Sequence, residues 1–208
     1  GYDGSKFVLP NLNIMTEIIE NEADTGSLFV EYADTLSERR EARKQSLDER
    51  VSKAALIAKN TEQCLIWCDY NDESAALKKA IQGSVEVKGS DTPEHKEKAM
   101  IGFGKGEVKI LVSKPSICGF GMNWQNCHNM IFCGLSDSFE QFYQAIRRCY
   151  RFGQNQEVNV HIVISEKEMN VLNNIKRKQA DHERMSKEMV KIMSESAISE
   201  LHHYERKQ

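Results

Sequence analysis

The chain has 208 residues, 40% of them hydrophobic, and a formal net charge of -3. That length and apolar content allow a sizeable core in one domain with appendages, and the acidic balance excludes coating nucleic acid by bulk charge while leaving room for a local basic patch. Six cysteines without short regular spacing fit reduced thiols rather than a disulfide framework, and no apolar run approaches the roughly 20 residues of a membrane span. With no N-terminal signal in view, the chain is expected in the cytoplasm. Its first residue is Gly1 rather than Met, as expected of a fragment.

Residues 1–27 mix turn formers with the apolar run "FVLPNLNIM", which Pro10 marks as an extended or edge piece. From Asp34 to Lys59, Leu36, Leu47, Val51, Ala54 and Ala58 fall at helical steps, so an amphipathic helix is expected. The rhythm then changes. "CLIWC" (64–68) reads as a buried strand and "DESAALKKAI" (72–81) as a helix with acids at its positive end. "SVEVKG" (84–89) reads as a strand. "TPEHKEKAMIGF" (92–103) reads as a helix with a Thr cap and Pro at its first position. "VKILVS" (108–113) and "NMIFCG" (129–134) read as strands, and "DSFEQFYQAIRRCYRF" (137–152) as a helix stopped by Gly153. "EVNVHIVIS" (157–165) is a fifth strand. A charged helix with a methionine-rich stripe (Met169, Met185, Met189, Met193) follows and is expected to pack back on the domain. Strands alternating with helices, and apolar runs without strict alternation, predict an α/β domain with a mainly parallel sheet covered on both faces. Ligands of such sheets bind beyond the carboxyl ends of the strands. The predicted division is 1–60 as an extension, 61–165 as the α/β domain and 166–208 as a helical tail.

Two stretches carry chemistry. In "QAIRRCYRFGQ" (144–154), Gln144, Arg148 and Arg151 fall on one helical stripe, with no acid between Glu140 and Glu157. Guanidinium groups stay charged and match phosphate oxygens with a planar fork of donors. In "ICGFGMNWQN" (117–126), Gly119 and Gly121 permit close approach or positive φ, and Asn123 offers an amide to a ribose or phosphate. Cys127, His128 and Cys133 lack the paired spacing of a metal site, so no metal is expected. No G-x-x-x-x-G-K-[ST] phosphate loop occurs in the sequence.

Together, "GFGMN" and "QAIRRCYRFGQ" resemble motifs V and VI of superfamily 2 helicases, in particular the Swi/Snf-like translocases. Gln144, Ala145, Arg148, Arg151, Gly153 and Gln154 match the last motif without gaps. "CLIWC" is similar to the motif IV strand, and the resemblance runs over about residues 62–165. Arg147 stands where the family usually has Gly, Gly134 where eukaryotic Swi/Snf members usually have Asp, and "DSF" (137–139) replaces their Trp-Asn-Pro. These departures suggest a bacterial or phage type.

The resemblance implies a RecA-like second motor lobe of a nucleic-acid-dependent ATPase. ATP and Mg²⁺ would be held mainly by an N-terminal RecA-like lobe of the same protein. Arg151 would be the arginine finger and Arg148 its partner at the γ-phosphate. Gly119, Gly121, Asn123 and Gln144 would face the nucleotide, and Gly89, Ser90, Ser113 and Lys114 would track the phosphate backbone of nucleic acid, DNA rather than RNA. The alternative is a non-catalytic RecA-like module that binds nucleic acid or a protein partner.

Overall fold

The computed structural model describes residues 9–20, 32–33, 35–119 and 121–205, with side chains to residue 193. The segments 1–8 and 21–31 of the turn-rich N-terminal stretch, the expected helix start at Asp34, and Phe120 lie outside the described residues. The chain divides into two units, 1–172 and 173–208.

The first unit is built on six strands in the order β1-β6-β5-β2-β4-β3. These are β1 (Leu12–Ile19), β2 (Cys64–Trp67), β3 (Val85–Val87), β4 (Ile110–Ser113), β5 (Asn129–Cys133) and β6 (Val158–Ser165), and every pairing is parallel. The apolar run after Pro10 supplies β1, an edge strand as its proline requires. Helices α1 (Leu36–Gln45), α2 (Leu47–Lys59), α3 (Asn71–Ala80), α4 (Pro93–Gly104), α5 (Pro115–Cys118), α6 (Phe139–Ile146) and α7 (Met169–Glu205) complete the fold. This is an α/β RecA-like fold.

Side-chain alternation along the strands separates two faces. Cys64, Ile66, Val112, Ile131, Cys133 and Val163 form one core with Val51, Ala54 and Ala58 of α2 and Leu77 of α3. On the other face Trp67 meets Trp124, Trp124 meets Phe103 of α4, and Phe132 meets Phe142 of α6. Thr92 and Pro93 start α4 as the sequence predicts. The helix expected over 34–59 is two helices. The Ser46 hydroxyl donates to Ala42 O at 2.9 Å, and the chain bends there into α2. In the second unit α7 continues as one helix with Met185, Met189 and Met193 on its exposed surface.

At the carboxyl ends of β2, β5 and β6 lies a buried ionic cluster. Arg50 Nη1 donates to Glu73 Oε1 at 2.9 Å, and Arg50 Nη2 to Arg43 O at 2.6 Å. Arg43 Nη1 bonds Asp69 Oδ2 at 3.1 Å, and its Nε forms an ion pair with Glu168 Oε1 at 2.8 Å. Burial alone would lower Arg43, but Glu73, Glu168 and Asp69 hold it above its ordinary value. Gly134, at φ 92°, leaves room for that guanidinium; a Cβ there would overlap it. Glycine at 134 thus has a steric cause.

His161 of β6 lies 4.0 Å from Glu17, which pairs with Lys53 at 2.9 Å, and His161 Nδ1 has no hydrogen-bond partner. Burial lowers its pKa, with Lys53 adding to the effect and Glu17 opposing it. A folded-state pKa below the unfolded value near 6.5 favours the neutral ring in the fold. The resulting stability is present above about pH 6.5 and is lost as pH falls through the folded pKa. Denaturation midpoints followed from pH 8 to pH 5 should show this loss, and His161→Gln should remove it.

Candidate functional site

The arginine stretch is not helical throughout. Helix α6 ends at Ile146, Arg147 is its C-cap, and residues 147–153 form turns. Past Ile146 the bonds tighten: Arg148 N–H reaches Ala145 O at 3.2 Å and Cys149 N–H reaches Ile146 O at 3.1 Å, Gln144 O is taken by the Arg148 side chain, and Arg148 O accepts Trp124 N–H at 2.8 Å. Gly153, at φ 91°, therefore closes a turn rather than capping the helix.

That bond joins the two motifs. Arg148 is 8% exposed, and its fork is spent inside the domain. Nε donates to Gln144 O at 3.0 Å, Nη1 to Met122 O at 3.0 Å, and Nη2 to Gln144 Oε1 at 3.3 Å. Burial lowers the Arg148 pKa, and the like charges of Arg151 and Arg147 lower it further. Gln154 is a second fastener. Its Nε2 donates to Gln125 O, Cys127 O and Cys149 O at 3.0, 3.1 and 3.2 Å. Its Oε1 accepts from the backbone N–H groups of Asn155 and Gln156 at 3.1 and 3.0 Å. The sequence marks Gln154 as a motif match but not as the buried side chain that pins the turn to the 122–127 loop. Its position just before β6, where loop and turn must converge, is the signal for that role. Gln154→Ala is expected to cost about 2–4 kcal/mol in urea unfolding, because several buried backbone groups lose their partner at once.

Arg151 differs from Arg148. It is partly exposed, and its guanidinium has no hydrogen bond or ion pair among the described residues. Gly121, at φ 81°, and Asn123 are exposed on the facing loop, whereas Gly119 is buried with its N–H bonded to Pro115 O at 2.8 Å. The structure therefore brings Arg148, Gln144 and the Gly121–Asn123 loop together, with Arg151 on the same turn as Arg148.

It places the other expected residues elsewhere. Cys127 and Gln154 directly precede β5 and β6, so loop and turn meet at the amino edge of the parallel sheet. The residues expected to face a nucleotide therefore do not lie beyond the carboxyl ends of the strands. Gly89 and Ser90, exposed in the turn after β3, and Lys114, after β4, lie at the carboxyl edge. Ser113 is fully buried, and its hydroxyl donates to Val87 O at 2.9 Å. Its side chain is thus a tie between β4 and β3 rather than a surface contact.

All six cysteines are free and buried. Burial pushes the Cys64, Cys68, Cys118, Cys133 and Cys149 thiols up, away from thiolate chemistry. Among the described residues no group of three or more His, Cys, Asp or Glu side chains could hold a metal ion, and no helix is long and apolar enough to cross a membrane.

The helicase conserved C-terminal domain family matches residues 44–153. The chain belongs to that family. This helicase C-terminal domain is similar in fold to the C-terminal part of the Fun30 ATPase domain, with a TM-score of 0.52 and 20% identity over 64% of this chain and 44% of that one. It is also similar to a DEAD box protein from the hyperthermophile Methanococcus jannaschii, with a TM-score of 0.55 and 14% identity over 84% of this chain and 40% of that one. The helicase C-terminal domain thus spans less than half the length of either structure. No curated protein matches it.

Proposed function

We propose that the chain is the second motor lobe of a superfamily 2, Swi/Snf-like DNA helicase or translocase of bacterial or phage type, acting in the cytoplasm. Residues 61–165 would carry the motifs of the lobe, residues 1–60 would add β1 and α2 to its sheet and core, and 166–208 would flank it. The observation that carries this reading is the contrast between two neighbouring arginines on one pinned turn: Arg148 is consumed internally, while Arg151 is partly exposed and has no bond among the described residues. The residues fit a nucleotide on that account. Arg151 offers a cation, Gly121 an open backbone and Asn123 an exposed amide, while Gln144 and Arg148 hold the turn against the loop.

An N-terminal RecA-like lobe would bring the phosphate loop and Mg²⁺ for ATP. Arg151 would oppose charge growing on the γ-phosphoryl, and water would be excluded as the lobes meet. Gly89, Ser90 and Lys114, on the other edge of the sheet, would follow the DNA backbone through a few local contacts, which is compatible with a net charge of -3.

The test is phosphate release. The chain alone should release none from ATP. Joined to its first lobe, it should turn over ATP with stimulation by DNA above that by RNA of the same sequence. Turnover indifferent to nucleic acid would overturn the reading, and no turnover in the joined protein would favour the non-catalytic module.

A further inference from the structure

Arg147 breaks the family pattern, and neither the fold nor the pinned loop uses its guanidinium. Its backbone N–H bonds Tyr143 O at 3.0 Å, which closes α6. Its side chain is partly exposed and lies 6.0 Å over the Tyr143 ring, with no hydrogen bond or ion pair among the described residues. Stacking on an aromatic face orients a guanidinium without using its N–H donors.

With the Arg148 fork spent on Gln144 and Met122, two guanidinium groups of the turn keep their donors: Arg147 and Arg151. The carboxylates nearest in sequence do not neutralise them. Glu140 is exposed at the far end of α6, and Glu157 accepts from Asn11 at 2.9 Å and Asn13 at 3.4 Å. Burial lowers the Arg148 pKa most, and the like charges of Arg151 and Arg147 lower it further, so both lie within electrostatic reach of Arg148, and neither has an ion pair among the described residues. Trp124 and Gln154 hold the turn rigid, so the two free forks cannot simply swing apart with the backbone. A rigid pair of free guanidinium groups complements a chain of phosphates.

We infer that Arg147 is a second phosphate-binding arginine, working beside Arg151 on the phosphate chain of a nucleoside triphosphate. The inference rests on the proposed reading that a nucleotide lies against this turn. Nucleic acid is the less suitable ligand for Arg147, because the residues assigned to its backbone, Gly89, Ser90 and Lys114, follow β3 and β4 at the opposite edge of the sheet.

The experiment is steady-state kinetics of the two-lobe protein with Arg147→Gly, which restores the family residue, and Arg147→Lys, which keeps the charge but loses the fork. Arg147→Gly should raise KM for ATP about ten-fold, the scale of one charge-assisted hydrogen bond, with kcat within about two-fold. Arg147→Lys should fall between the two, AMP binding should be unchanged, and the unfolding midpoint should hold. An unchanged KM, or an effect confined to the nucleic-acid concentration giving half-maximal stimulation, would overturn the role. Arg151→Ala measured alongside keeps the two ideas apart: lost turnover there with a normal KM in Arg147→Gly would refute only Arg147.

Discussion

Gly134→Ala should destabilise the domain by about 3–5 kcal/mol, the scale of breaking a buried ion pair on one side. The methyl group would occupy the space of the Arg43 guanidinium. An arginine tip is usually free to move aside, but here it is held by Asp69 and Glu168, with Glu73 at 3.6 Å. Displacing it leaves buried carboxylates facing one another, with only Arg50 still paired to Glu73. The φ of 92° adds left-handed strain of about 1–2 kcal/mol for any side chain. The measurement is urea unfolding of a double-mutant cycle. In an Arg43→Ala background, where the obstacle is gone, Gly134→Ala should cost only that strain. Additive effects of the two substitutions would show that Arg43 is not what the glycine accommodates.

The same cluster shows where reading the sequence runs out. Local signals located most elements. Thr92-Pro93 started α4, Pro10 placed β1 at an edge, and apolar runs such as "CLIW" became the central strands. The break at Ser46 was hidden, because helical periodicity continues across it while a hydroxyl redirects the backbone. Arg43, Arg50, Glu73 and Glu168 look like ordinary charged positions of surface helices, since their partners are separated by up to 125 residues (168 minus 43) and depend on sheet order. The site was legible to the same depth. Composition and spacing picked out Arg148 and Arg151 but treated them as equal forks on one helix. Only the Trp124 bond to Arg148 O and the bond from Arg148 to Met122 O show that one fastens the turn to the loop while the other stays partly exposed. Ser113 failed for a related reason: a serine closing a strand has the same sequence whether its hydroxyl meets solvent or Val87 O.

That distinction sets the largest expected functional effect. In the two-lobe protein, Arg151→Ala should reduce ATP turnover by about 10³- to 10⁵-fold, the range for removal of an arginine finger. Its unfolding free energy should stay within about 0.5 kcal/mol of the parent, because the side chain makes no bond to lose among the described residues. Arg148→Ala should also lose turnover, but by a different route. It removes the bond to Met122 O that holds the Gly121–Asn123 loop and two bonds to Gln144 of α6, so stability should fall by about 2–3 kcal/mol along with activity. Arg151→Lys separates charge from geometry: an ammonium keeps the electrostatic attraction but not the planar fork, so turnover should recover only partly. Single-turnover phosphate release and urea unfolding on the three variants make the comparison. Turnover by Arg151→Ala within ten-fold of the parent would remove Arg151 from the reaction. Equal loss of stability in Arg151→Ala and Arg148→Ala would mean that both arginines serve the turn, and that no residue on it reaches across to a nucleotide.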